Sequence, residues 1–192
     1  MDVMSSVLVA IDPGPSHTGY AVLSPFSGTA QEHTLHRSGT WIPAKRLSTL
    51  DRHLWLLSKL QDFLAEWLPA TLAYEEFTWQ VGDEGEHFLR GRPAMERFIG
   101  GLQALTLFPP FPVLMPLLPQ VWGKQFVGSA SHTKADVARV VNLRLGTSYD
   151  GGVYSNHESD AVAIGLVALD TLRMHSQIQA SRFSQVYQGR TR

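Results

Sequence analysis

Four side chains spread along this chain of 192 residues have the types and settings for acid-dependent metal chemistry. The first is Asp12, which closes the apolar run Val7-Leu8-Val9-Ala10-Ile11 just before Pro13-Gly14-Pro15. The second is Glu75 or its neighbour Glu76, which end the run Thr71-Leu72-Ala73-Tyr74 in the same way. A charge at the end of an apolar element is costly to desolvate unless something pairs with it. Two carboxylates at one edge repel, and a cation or a proton must relieve them. The other two are His157 and Asp160, which stand three apart and share one helical face. Ala161, Ala163 and Ile164 follow directly, so that face enters the core. Hard carboxylate oxygens select Mg²⁺ or Mn²⁺ over zinc, and a histidine tilts such a site toward tolerating manganese. Acidic sites of this kind hold two ions about 4 Å apart. One activates water for in-line attack on phosphorus, and the other stabilises the leaving 3′ oxygen.

Taken singly, each residue has a plainer reading. Asp-Pro-Gly starts turns, and Glu-Glu past a strand is commonly surface. An acid such as Glu158 in a first helical turn complements the helix dipole. The chemistry therefore depends on the elements that bring these residues together. Residues 7–12 read as a strand buried on both faces. Gly19–Leu23 and a segment within Thr34–Trp41 follow after short turns, giving an antiparallel meander. Leu47, Leu50, Leu54, Leu57 and Leu64 form the stripe of a helix between about Ala44 and Trp67, closed by Pro69. A strand reached from an earlier one through a single helix is usually a parallel crossover. That rule places the strand ending at Glu75-Glu76 beside the one ending at Asp12.

Residues 77–92 have no stable period and read as a loop. Its Phe77 and Trp79 either stack on nucleic-acid bases or tuck beneath the loop, with equal weight. Asp83, Glu84, Glu86 and His87 match no ligand spacing. Pro93 fits the first position of a helix reaching about Phe108, whose Gly100-Gly101 pair implies close packing. Val113–Leu118 reads as an edge strand because of its prolines. Gln120–Ser131 reads as a loop offering Lys124 to phosphate. A helix from Thr133 to Leu145, stopped by Gly146, begins with Lys134, a second candidate phosphate contact. The last helix is capped by Asn156. Three strands, helix, strand, helix, strand and helix, with acids at these ends, is the ribonuclease H-like order. The expected fold is thus α/β, a five-stranded mixed sheet with three antiparallel and two parallel strands flanked by helices.

The bulk composition agrees with one globular domain over 1–175 and a basic tail over 176–192. With 44% hydrophobic and 17% charged residues, the chain is not wholly disordered. It has no cysteine, which excludes disulfides and thiolate metal sites. The apolar stretch 105–118 holds four prolines and is too short and broken to span a bilayer. No secretory signal is apparent, and a cytoplasmic location is expected. Net charge is −1, but it is unevenly spread. Residues 1–116 hold 8 Lys+Arg and 12 Asp+Glu, whereas residues 117–192 hold 8 and 5. A basic C-terminal half can follow a phosphate backbone or simply be solvated.

Several of these segments also resemble one family. Val9-Ala10-Ile11-Asp12-Pro13-Gly14 with Thr18-Gly19-Tyr20 looks like the opening of RuvC-type Holliday junction resolvases. Ala73-Tyr74-Glu75-Glu76 is similar to their second acidic strand, which singles out Glu75. Gln120-Val121-Trp122, with Val127-Gly128 through Lys134, resembles their phosphate-contact region. His157-Glu158-Ser159-Asp160-Ala161 resembles their final His/Asp pair. The resemblance spans about residues 7–170. It implies a homodimer in a bacterial or phage-infected cell that binds four-way DNA junctions and nicks two opposed strands symmetrically. Asp12, Glu75, His157 and Asp160 would hold two Mg²⁺ ions, with Mn²⁺ as a substitute, and the products would carry 5′-phosphate and 3′-hydroxyl ends. Phe77, then Trp79, would wedge the junction. The loop at 77–92, the prolines at 109–119 and the weak overall basicity depart from the family's pattern.

Three other readings compete. A related nuclease of relaxed structure selectivity would share the same site. A junction-binding protein that had lost cleavage would not need all four candidate ligands. A sugar-kinase or actin-like ATPase would need two such domains and a longer chain.

Overall fold

A computed structural model describes residues 7–25, 33–77, 86–129, 131–150 and 152–188. Trp79, and Asp83 and Glu84 of the acidic loop, lie outside the described residues. Five strands form one sheet: β1 (Leu8–Asp12), β2 (Thr18–Ser24), β3 (Thr34–Trp41), β4 (Thr71–Glu75) and β5 (Val113–Leu117). Five helices accompany them: α1 (Thr49–Trp67), α2 (Glu86–Leu105), α3 (Pro119–Val127), α4 (Lys134–Leu145) and α5 (Val153–Gln188). The strand order is β3-β2-β1-β4-β5. β1, β2 and β3 pair antiparallel, while β4 and β5 run parallel to β1 and to each other. This is the mixed sheet expected from the sequence.

The alternation of side chains along each strand divides the core in two. Val9, Ile11, Tyr20, Val22, Leu72 and Tyr74 face α1 and α2, meeting Leu60, Phe63, Leu64 and Leu102. Leu8, Ala10, Ala21, Leu23, Ala73 and Leu117 face α3, α4 and α5. On that side Ala161–Ile164 and Leu166–Leu169 form the central buried helix face. Small residues there let α5 sit close on β1 and β2. A Cβ at Gly19 would lie 1.8 Å from the His157 carbonyl oxygen, and one at Gly165 would lie 2.3 Å from Leu23 Cδ1.

Three local expectations are corrected. Residues 119–127 are helix α3 rather than a loop, with Pro119 in its first turn and Gly128 as a left-handed C-cap. Its apolar pair Trp122 and Phe126, one turn apart, supplies the buried face that makes the segment helical. Pro93 lies inside α2 and does not begin it. The helix tolerates the lost hydrogen bond because Phe98 and Leu102 are fully buried, and Gly101 closes onto Leu57 of α1. α5 starts at Val153, so Asn156 sits in its first turn, with its amide N–H donating to Gly152 O at 2.8 Å, and is not its cap. α5 continues as one helix through residue 188. No helix among the described residues is long and apolar enough to cross a membrane.

Candidate active site

The two-residue period that splits the core also selects the acids. Asp12 follows Leu8 and Ala10 onto the α5 face, and Glu75 follows Ala73 onto the same face. The parallel register runs Ala10↔Ala73 and Ile11↔Tyr74, so the next step aligns Asp12 with Glu75 at one end of the sheet. Glu76 has the opposite parity, which decides between the neighbouring glutamates. α5 crosses this end with His157 and Asp160 on one face. The structure therefore brings Asp12, Glu75, His157 and Asp160 together from β1, β4 and α5.

Each of the three acids has its own partner. His157 Nδ1 lies 2.6 Å from Asp12 Oδ2. An ionised carboxylate only accepts, so Nδ1 carries the proton. That hydrogen bond raises the His157 pKa, against the effect of its partial burial. The His17 ring stacks on His157 with centroids 5.7 Å apart. Asp160, 1% exposed, receives a hydrogen bond on Oδ2 from Lys134 Nζ at the start of α4. Lys134 is set there by a capping box in which Thr133 and Asp136 exchange hydrogen bonds. Trp122 Nε1 donates to Glu75 Oε2 at 2.8 Å.

These partners do not neutralise the cluster. Burial, and then the charge of Asp12, push the Glu75 carboxyl up to about 7 despite the indole hydrogen bond. Burial also dominates at Asp160 and lifts it to about 6, although Lys134 pulls the other way. Burial alone would lower Lys134, but Asp160, Asp12 and Glu75 together hold its ammonium above the usual value. Asp160 Oδ1 is buried and has no hydrogen-bond partner.

Among the described residues, no three His, Asp or Glu side chains already stand as a ready-made ligand set. Their chemistry nonetheless fits a hard divalent cation. There is excess negative charge, an unpartnered buried oxygen, and a donor set of carboxylates with one imidazole.

The remaining candidates are dispersed. Lys124 is exposed on α3. Phe77 is half-buried, two residues beyond Glu75, and lines a groove of about 230 Å³ with Glu96, Ile99, Gly100 and Gln103 of α2. Sequence reasoning did not identify Trp122 as a partner of Glu75. The signal available was Pro119 followed by the Trp122/Phe126 spacing, which marks a helix with a buried indole.

No family model matches the chain, and no curated protein matches it by sequence. Solved structures do. Thermus thermophilus RuvC is 21% identical with a TM-score of 0.70, over 88% of this chain and 96% of that one. The same protein in complex with Holliday junction substrate gives a TM-score of 0.71. The yeast mitochondrial Holliday junction resolvase Ydc2 is 13% identical with a TM-score of 0.61, over 92% of this chain and 83% of that one. The order of strands, the register that aligns Asp12 with Glu75, and these likenesses agree: the chain has the ribonuclease H-like fold of the RuvC-type resolvases.

Proposed function

We propose that the protein is a structure-selective DNA endonuclease that resolves four-way junctions by paired nicks in opposed strands. The observation that carries this reading is the convergence of Asp12, Glu75, His157 and Asp160 at one end of a sheet of this fold. Asp12, Glu75 and Asp160, with His157, would hold two Mg²⁺ ions, for which Mn²⁺ substitutes. Bound there, the ions supply Lewis-acid activation of water and charge compensation at the leaving 3′ oxygen.

The chain's own residues do the rest. Asp12 fixes the tautomer and the ring orientation of His157. Lys134, with its side chain more than half exposed, pairs with Asp160 and meets a backbone phosphate. Lys124 on α3 makes a second phosphate contact. Phe77 and Trp79 stack on bases at the junction centre. Symmetric nicking implies a homodimer, with one site for each of the two opposed strands. Residues 1–175 form the nuclease domain, and the basic residues beyond 176 follow the phosphate backbone. A cytoplasmic location fits this substrate.

The test of selectivity compares a synthetic four-way junction with linear duplex at matched salt, without and then with Mg²⁺. The expected result is tighter binding to the junction without metal and paired 5′-phosphate nicks with it. Equal affinity for both DNAs would remove the structure-selective part of the reading.

A further inference from the structure

We infer that Trp122 is a positioning residue for Glu75, holding one carboxylate oxygen so that the other is presented to a divalent cation. This rests on the metal-dependent nuclease reading above. The Trp122 ring is 2% exposed and packs in the core shared by β5, α3, α4 and α5. On its far side it meets His132 at 5.9 Å between centroids. His132 in turn fills the space over Gly123, where a Cβ would come within 2.1 Å of its ring. The indole is therefore clamped between the helix that carries it and the segment leading into Lys134.

From that clamp Nε1 reaches Glu75 Oε2 at 2.8 Å. Among the described residues it is the side-chain donor that Glu75 has. Asp12 and Asp160 are held differently, by His157 and Lys134. Lys134 is a cation whose charge a bound metal would oppose, and His157 is itself a candidate ligand. An indole N–H is neutral and only donates, so it conflicts with no metal. A carboxylate has about four acceptor sites, so Glu75 can keep the indole on Oε2 and still ligate. Without the N–H, the carboxylate swings on three side-chain torsions and loses that freedom only when a cation binds. Hydrogen-bonded partners of metal ligands are worth about 10–100-fold in affinity, and Trp122 belongs to that class.

The experiment is Mn²⁺ binding to DNA-free protein, read from the free-ion EPR signal, for wild type, Trp122→Phe, Glu75→Gln and the double variant. Trp122→Phe keeps an aromatic ring and removes the N–H. We expect about 10-fold weaker Mn²⁺ binding in Trp122→Phe. We expect no further loss when Trp122→Phe is added to Glu75→Gln. A second readout needs no change at Trp122: its indole N–H signal by NMR stays downfield and slow to exchange when Mg²⁺ is added, and moves upfield in Glu75→Gln.

Wild-type Mn²⁺ affinity in Trp122→Phe overturns the assignment. So does a loss that persists in the Glu75→Gln background, or an indole signal unmoved by Glu75→Gln. A wild type that binds Mn²⁺ with this dependence yet nicks no DNA would refute the nuclease reading and leave the positioning role standing. A wild type that nicks DNA but is indifferent to Trp122→Phe would do the reverse.

Discussion

At the scale of single residues, the site is held by three unlike interactions: an imidazole on Asp12, an ammonium on Asp160 and an indole on Glu75. Together they leave Glu75 at about 7 and Asp160 at about 6, both above ordinary carboxylates. Because folding raises both pKa values, the folded chain binds more protons than the unfolded one between about pH 4 and 7. Without metal, these two groups therefore cost stability as pH rises through that window. A divalent cation bound there would take over the role of those protons and stabilise the fold by mass action. Millimolar Mn²⁺ should raise Tm by several degrees at about pH 8, and by less than half as much at about pH 5.5. An equal shift at both pH values in calorimetry would contradict the site. Asp170 has the opposite sign. Burial pushes its carboxyl up, but hydrogen bonds from His33 and Arg144 outweigh burial and hold it below the usual range. Asp170→Asn should be less stable than wild type at neutral pH, with the gap narrowing as pH falls below about 4. A gap that widens on acidification in urea titrations would reject that network.

At the scale of elements, the backbone of β2 forms part of the site through its contact with α5. Gly19→Ala would drive a Cβ into the His157 carbonyl, 1.8 Å away. It should cost about 1–3 kcal/mol in urea unfolding and shift His157 with it. A neutral result would mean that α5 is not seated on β2 as described. Thr133→Ala opens the capping box below Lys134 and should cost about 1 kcal/mol by the same measurement.

The same elements show what was legible in the sequence. The ends of β1 and β4 were, because an apolar run stopping on an acid marks a buried strand reaching a polar edge. The His157/Asp160 pair was legible from helical spacing followed by small apolar residues. The choice of Glu75 over Glu76 from the residues alone was not, since it depends on the register of β4 against β1. The contact of Trp122 with Glu75 was missed because residues 120–131 lack a long period, and one helical turn of burial is a weak signal. Pro93 misled because its preference for a first turn was overridden by the packing of Phe98, Gly101 and Leu102 against α1.

At the scale of the whole molecule, net charge of −1 is a poor guide, because the acids that would hold metal are counted with the rest. Were Asp12, Glu75 and Asp160 compensated by cations, the uncompensated charge at this end of the sheet would be that of Lys134, which suits a phosphate backbone. If two copies each cut one strand, mixing excess Asp12→Asn protein with wild type should yield junctions nicked once, resolved on a gel by strand label. Undiminished paired nicking in the mixture would argue against two cooperating sites. The most direct test of the central claim is cleavage of a synthetic four-way junction by purified Asp12→Asn protein with Mg²⁺, beside wild type. The account predicts paired nicks from wild type, and from the variant junction binding retained with cleavage reduced at least about 100-fold. Wild type without cleavage, or a variant that cuts as fast as wild type, would contradict it.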